Sequence, residues 1–151
     1  MIRATGIRTG DVRTGDVRTG GGEPSARLTL PHDARHLRRK VLHVAGEDIL
    51  VDLPQAQRFS GGDCLVLEDG REVEIVAAVE PLYALTAADA LAHARLCWHL
   101  GNRHVPAAVE PDRVLIARDP VLQPMLEGLG VRVEEADAPF EPVRGAYHSH
   151  D

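Results

Sequence analysis

The sequence predicts an α+β protein with two domains, a small N-terminal all-β domain (an open barrel or sandwich) followed by a ferredoxin-like βαββαβ domain. Between residues 25 and 80, short apolar runs alternate with a period of two and no helical pattern intervenes. From residue 81 to 136 the patterns follow the order strand, helix, strand, strand, helix, strand. The pair Glu80-Pro81 separates the two patterns and marks the predicted domain boundary.

Composition narrows the class of protein. The chain has 151 residues, of which 44% are hydrophobic but only 3% aromatic, so its cores must be built from small aliphatic side chains. Two thin cores of this kind favour extra burial through oligomer formation. The net charge of −6 argues against nucleic-acid binding, which needs a basic face. No apolar run reaches the length of a membrane span or forms a signal core, so we expect no membrane association and a cytoplasmic location.

The first 24 residues contain a repeat with a period of five. Thr-Gly-Asp-Val-Arg occurs at residues 9–13 and again at 14–18, and a glycine run follows at residues 20–22. A unit with one sizeable apolar residue cannot build a core. We therefore predict that residues 1–24 are a flexible leader.

Five short strands are predicted in the β-rich domain at residues 25–80. Turn signals such as Asp69-Gly70 separate them, and Pro54 is predicted to end the third strand because proline cannot donate to a ladder. The predicted strands are Arg27–Leu30, Lys40–Val44, Ile49–Leu53, Cys64–Leu67 and Val73–Val79.

A first helix is predicted from Ala87 to Leu100, with Thr86 as its N-cap. Ala87, Leu91, Ala94 and Trp98 recur at helical spacing, and this stripe is predicted to pack on the sheet.

The other predicted elements complete the domain at residues 81–136. A second helix is expected to start at Asp119, although Pro124 then falls beyond the first turn, where it should distort the helix. The four strands are expected near Leu82–Leu85, His104–Val109, Arg113–Ala117 and Val131–Glu134. Residues 137–151 are predicted to form an extended tail, and its last five residues, Tyr147-His-Ser-His-Asp151, are predicted to be mobile.

His104 is the candidate functional residue of the second domain. Gly101 and Asn102 are typical of a helix end, which places His104 at the start of the next strand. A histidine on such a rigid frame can direct an imidazole nitrogen outward to a metal ion. The other interpretation is a structural histidine packed at a helix–strand junction, and spacing alone does not separate the two.

A resemblance to a known protein family favours the metal ligand over the structural histidine. The run His99-Leu-Gly-Asn-Arg-His104-Val-Pro106 resembles the signature of the UreE family of urease accessory metallochaperones. Further similarities lie at residues 119–122, 125–130, 139–142 and 145–148. The resemblance implies a partner- or peptide-binding N-terminal domain and a ferredoxin-like metal-binding domain. It also implies that the protein carries Ni²⁺ for the urease active site, with urease apoprotein and the other accessory proteins, including the GTPase component, as partners.

One imidazole does not make a transition-metal site, since nickel or zinc takes four or more donors. A twofold homodimer with His104 near its axis would present this ligand twice. The tail adds His148 and His150, which an extended segment could bring to the same ion. The cysteines Cys64 and Cys97 form no Cys-x-x-Cys pair, and imidazole donors without thiolate suit nickel, copper(II) or zinc. The resemblance selects nickel, with zinc as the alternative ion.

The sequence also bears on two other classes of function. No Ser-His-Asp or Glu-x-x-His pattern is present, so the chain is not expected to be an enzyme. The alternative to a nickel carrier is a non-catalytic scaffold or peptide-binding module of a metalloenzyme assembly complex, in which binding of zinc or copper(II) is incidental.

Overall fold

The computed structural model describes residues 1–10 and 23–144 of the chain. The chain divides into two compact units between Ala78 and Val79. The first is built on a β-sheet and the second on a sheet with two helices, which confirms the predicted α+β fold class with two domains.

The N-terminal unit is a six-stranded sheet with the order β2-β6-β5-β1-β4-β3. A single turn of 3-10 helix, His32–Ala34, joins β2 to β3. The strands are β1 (Ile2–Arg8), β2 (Ala26–Leu30), β3 (His36–Val44), β4 (Glu47–Arg58), β5 (Cys64–Leu67) and β6 (Glu72–Ala77).

Strand β1 corrects the prediction that residues 1–24 form a leader. It lies inside the sheet, parallel to β4 and antiparallel to β5, and the side chain of Ala4 is 0% exposed. The glycine and threonine content of this segment resembles that of the adjoining repeat, which conceals the alternation of Ile2 and Ala4 from a sequence reading. The leader prediction is therefore wrong for Ile2–Arg8, while residues 11–22 lie outside the described part of the chain.

Strand β4 is longer than predicted because Pro54 does not end it. The strand runs for 12 residues, and its pairing with β3 shifts from Leu37↔Gln57 to Arg39↔Asp52. The extra residues of β4 between these pairs form a bulge that includes Pro54, and a bulge is a position where a strand can accommodate proline. At the other end of the hairpin, Ala45 and Gly46 both have positive φ, as a two-residue type I′ turn requires.

The loop around His32 makes the stability of this unit depend on pH. Arg58 donates from Nη1 to the His32 carbonyl at 3.1 Å and lies 3.2 Å from His32 Nε2. Burial lowers the pKa of His32, and the charges of Arg58 and Arg35 lower it further.

We predict that the N-terminal unit loses stability on acidification. Because the pKa of His32 is lower in the folded state, the unfolded chain takes up a proton first as the pH falls through roughly 6.5. The stabilisation is complete above that value and is lost on the way down to the folded-state pKa. Urea unfolding at several pH values measures how the free energy of unfolding changes with pH, and His32→Gln should reduce this dependence. His93→Gln in the other unit is the control and should leave the pH dependence of the N-terminal unit unchanged.

The C-terminal unit is a four-stranded antiparallel sheet with the order β10-β7-β9-β8, which is the ferredoxin-like arrangement. Its elements are β7 (Val79–Thr86), α1 (Ala90–Asn102), β8 (Ala108–Val109), β9 (Val114–Ala117), α2 (Gln123–Gly128) and β10 (Arg132–Pro139).

Both faces of this sheet are apolar. Tyr83 and Leu85 of β7 belong to the cluster that includes the helices, whereas Leu82 and Ala84 point to the opposite face, where Phe140 packs. The chain therefore continues as ordered structure past residue 136, where the predicted tail begins: β10 extends to Pro139 and Phe140 is buried.

Several predicted helix boundaries need correction. Helix α1 begins at Ala90 and not at Ala87, because β7 extends through Thr86. Its N-cap is Asp89, whose carboxylate accepts a hydrogen bond from the Ala92 N–H at 2.8 Å. Helix α2 begins at Gln123 rather than Asp119. Pro124 then falls in the first turn, where its missing N–H would have no helical partner, so it causes no distortion.

Neither helix in the described part of the chain combines the length and the apolar composition needed to span a membrane.

Candidate metal site at the end of the first helix

Helix α1 ends in a Schellman motif built around His104. The Val105 N–H donates to the Leu100 carbonyl at 3.0 Å, and the His104 N–H donates to the Gly101 carbonyl at 3.1 Å. This pair of hydrogen bonds closes a helix when the first of the two donor residues along the chain takes the left-handed conformation. Val105 packs against the buried cluster that contains Leu100, which is the apolar contact that accompanies the motif.

His104 is the residue in the left-handed conformation, with φ of 57°. The predicted strand start at His104 is therefore wrong, since the helix continues through Asn102 and β8 begins only at Ala108. The His104 side chain is exposed, which rules out a histidine packed into the junction. An L-residue in this conformation costs roughly 1–2 kcal/mol, and glycine is the usual occupant. The chain thus holds an exposed imidazole on a fixed backbone at an energetic cost.

This geometry predicts that His104→Gly stabilises the metal-free protein. Glycine adopts positive φ without a steric penalty, and its greater freedom in the unfolded chain offsets part of that gain. We expect a net increase of roughly 0.5–1 kcal/mol in the free energy of unfolding. Chemical denaturation of the metal-free variant tests this, with Arg103→Gly as the control, because Arg103 has φ of −96°. A loss of stability in His104→Gly would contradict the motif.

Helix α1 has two apolar faces, and the one predicted to pack on the sheet is exposed. Leu96 and Leu100 are buried against the sheet, whereas Leu91 is 60% and Trp98 65% exposed. Ala94 is exposed between them. We call Leu91, Ala94 and Trp98 the outer stripe of α1. It runs along the helix towards the end that carries His104, and Asn102, the last helical residue, lies about 6 Å beyond Trp98 along the axis.

Neighbouring side chains define what this helix end can bind. His99 packs edge-to-face on Trp98, with ring centroids 5.2 Å apart. Cys97 is half-buried, and burial raises the pKa of its thiol, so it remains protonated and is a poor metal ligand at neutral pH. The metal-binding group at this helix end is therefore an imidazole and not a thiolate.

The described part of one chain does not form a metal site by itself. Among residues 1–10 and 23–144, no group of three or more histidine, cysteine or acidic side chains could hold an ion. His148 and His150, the predicted tail ligands, lie outside the described residues.

The histidines of the N-terminal unit offer no competing site. His43 is exposed, whereas His32 and His36 are half-buried. His43 Nδ1 lies 2.9 Å from Asp48 Oδ1 at the hairpin end, a pair rather than a ligand set.

The fold and this helix end define a two-domain α+β protein whose ferredoxin-like unit displays an exposed histidine, His104, on a fixed backbone. Family models for the UreE urease accessory protein match residues 8–78 with the N-terminal domain and residues 80–151 with the C-terminal domain. The chain belongs to the family of UreE urease accessory proteins.

Individual relatives support the same assignment. The chain is 54% identical to the urease accessory protein UreE of Rhizobium meliloti over 84% of this chain and 83% of the relative. It is 50% identical to UreE of Agrobacterium fabrum, over 86% of this chain and 81% of that protein. It is 52% identical to UreE of Rhizobium rhizogenes, over 84% of this chain and 77% of that protein.

Membership in this family decides one of the predictions from sequence. The members of this family are urease accessory proteins and not catalysts, so the expectation that the chain is not an enzyme is confirmed by the family.

Proposed function

We propose that the protein is a nickel metallochaperone, which binds Ni²⁺ at a histidine site on the twofold axis of a homodimer and delivers it for assembly of the urease active site. The observation that carries the proposal is the exposed His104 in the left-handed position of the helix end. Strained backbone conformations persist where a function requires them, and here glycine would be more stable but could not bind a metal.

A second copy of the chain supplies what one chain lacks. With an exposed His104 imidazole on each chain, two chains around a twofold axis bring two identical ligands to one ion. The outer stripe of α1 is the surface that we assign to this contact, because Leu91 and Trp98 expose apolar area on the helix that ends at His104. Covering the stripe would bury that area and draw the two helix ends together.

The C-terminal tail completes the ligand set in this proposal. His148 and His150 provide further imidazoles, so that nickel gains donors beyond the two His104 side chains. Ligands on a terminal segment can exchange one at a time, which allows a carrier to release its ion to urease or to another accessory protein.

We predict that deletion of residues 147–151 weakens nickel binding without abolishing it, because both His104 ligands remain. The expected loss is roughly 10–100-fold in affinity, with no change in the thermal midpoint of the metal-free protein. Calorimetric titration measures the affinity, and a full-length variant with Tyr147→Ala serves as the control. Unchanged affinity after the deletion would remove His148 and His150 from the site.

Equilibrium dialysis distinguishes the carrier from a scaffold. A carrier retains nickel against a weak competing chelator and transfers it to urease apoprotein, and a scaffold in which binding is incidental does neither. Parallel dialysis against zinc and copper(II) shows which ion the site prefers when ion concentrations are equal.

A further inference from the structure

Strand β3 forms one outer edge of the N-terminal sheet. It stands last in the strand order, and its pairing in the described structure is with β4 on one side. An edge strand presents backbone donors and acceptors on its other side, and an extended chain can pair with these as an added strand.

Four consecutive residues of this strand, Arg38 to Val41, are exposed. Successive side chains in a strand point to opposite faces of the sheet, so both faces are open to solvent along this part of the edge. Val41, which is 48% exposed, adds an apolar contact beside the cations. We call Arg38, Arg39 and Lys40 the basic edge.

The basic edge is not neutralised within the described part of the chain. Other arginines of this unit pair with carboxylates: Arg71 Nη1 lies 3.0 Å from Glu47 Oε2, and Arg8 Nη2 lies 3.0 Å from Glu72 Oε2. Asp52, which lies across from Arg39 in the β3–β4 register, is 3.7 Å from Arg3 instead. Among residues 1–10 and 23–144, these three adjacent cations have no ion pair, in a protein of net charge −6.

We propose that the basic edge is a docking site for an extended acidic segment of a partner protein, which adds to β3 as a further strand. The backbone of β3 would supply the main-chain hydrogen bonds, and carboxylates on the segment would pair with the three cations. A protein segment fits better than nucleic acid, because three cations neutralise few phosphates and the remaining surface of an acidic protein repels the rest. The proposal extends the accessory role and does not depend on the nickel site.

Another explanation of the same residues is protection of the edge. Charged side chains on an edge strand discourage pairing between copies of one protein. The two explanations differ in what happens when the charges are removed: protection predicts self-association of the protein, and docking predicts loss of binding to an acidic strand.

The test uses the full chain with a chelator present, so that nickel plays no part. The probe is a fluorescent peptide of alternating glutamate and valine, followed by anisotropy, and a peptide of alternating lysine and valine is the negative probe. We expect saturable binding that weakens with salt and shifts the backbone amide resonances of Arg38–Val44. Arg39→Glu/Lys40→Glu should weaken binding by at least about tenfold.

The matched control is Arg95→Glu/Arg132→Glu, which changes the net charge equally at exposed positions of the other unit and should leave binding unchanged. An equal loss in both variants would show a bulk charge effect and overturn the proposal. So would absence of binding, equal affinity for random duplex DNA, or unchanged peptide binding by a self-associating Arg39→Ser/Lys40→Ser variant.

Discussion

Replacing His104 with alanine is expected to abolish tight nickel binding. Twofold symmetry removes two ligands with one substitution, so we expect the affinity for Ni²⁺ to fall by at least about a thousandfold. The metal-free protein should keep its thermal midpoint, because the imidazole is exposed and alanine meets the same strain at φ of 57°. Trp98 is the only tryptophan of the chain, so its fluorescence reports nickel binding near the helix end.

The control for this prediction is a substitution at a neighbouring histidine. His93→Ala changes a half-buried imidazole earlier on the same helix and should leave nickel affinity within about threefold of wild type. Tight binding retained by His104→Ala, or an equal loss in His93→Ala, would contradict the assignment of His104 as the ligand that anchors the ion.

Introducing charge into the outer stripe is expected to separate the dimer. In Leu91→Asp/Trp98→Asp, two carboxylates per chain would have to be buried without partners, which is strongly unfavourable. We expect the dimer dissociation constant to rise by at least about a hundredfold, and tight nickel binding to be lost with it, although His104 is unchanged. Sedimentation analysis gives the association state and calorimetry gives the nickel affinity.

The matched control for the stripe is Val121→Asp. Val121 is 85% exposed in the same unit but lies on the turn before α2, outside the outer stripe. This variant should remain dimeric and bind nickel normally. A Leu91→Asp/Trp98→Asp protein that stayed dimeric, or became monomeric while retaining tight nickel, would show that the shared site is not built on this face.

The order of elements in the second domain and the family of the chain could both be predicted from the sequence. Strand and helix periods are local, and the run from His99 to Pro106 carries a family signature, so neither needs knowledge of tertiary contacts. The conformation of His104 could not be predicted in the same way. Gly101 and Asn102 resemble a helix stop, but the left-handed residue that closes the helix is His104. The next residue, Val105, packs against the cluster of helix and sheet residues that contains Leu100, and this packing is a tertiary contact.

The prediction that the outer stripe packs on the sheet is wrong for a related reason. The helix carries apolar residues on two faces, and the large Trp98 side chain favours the face that contains it. The structure instead buries Leu96 and Leu100, which are one helical turn apart, and leaves Trp98 exposed. A sequence pattern shows that a face is apolar, but not whether the chain's own sheet or another surface covers it.

In the proposed site, two chains share one nickel ion through His104. Calorimetric titration of the metal-free full-length protein, with the association state measured on the same sample, tests this sharing. We expect a dimer that takes up about one tightly bound Ni²⁺ per two chains. One tightly bound ion per chain on a monomeric protein would contradict it.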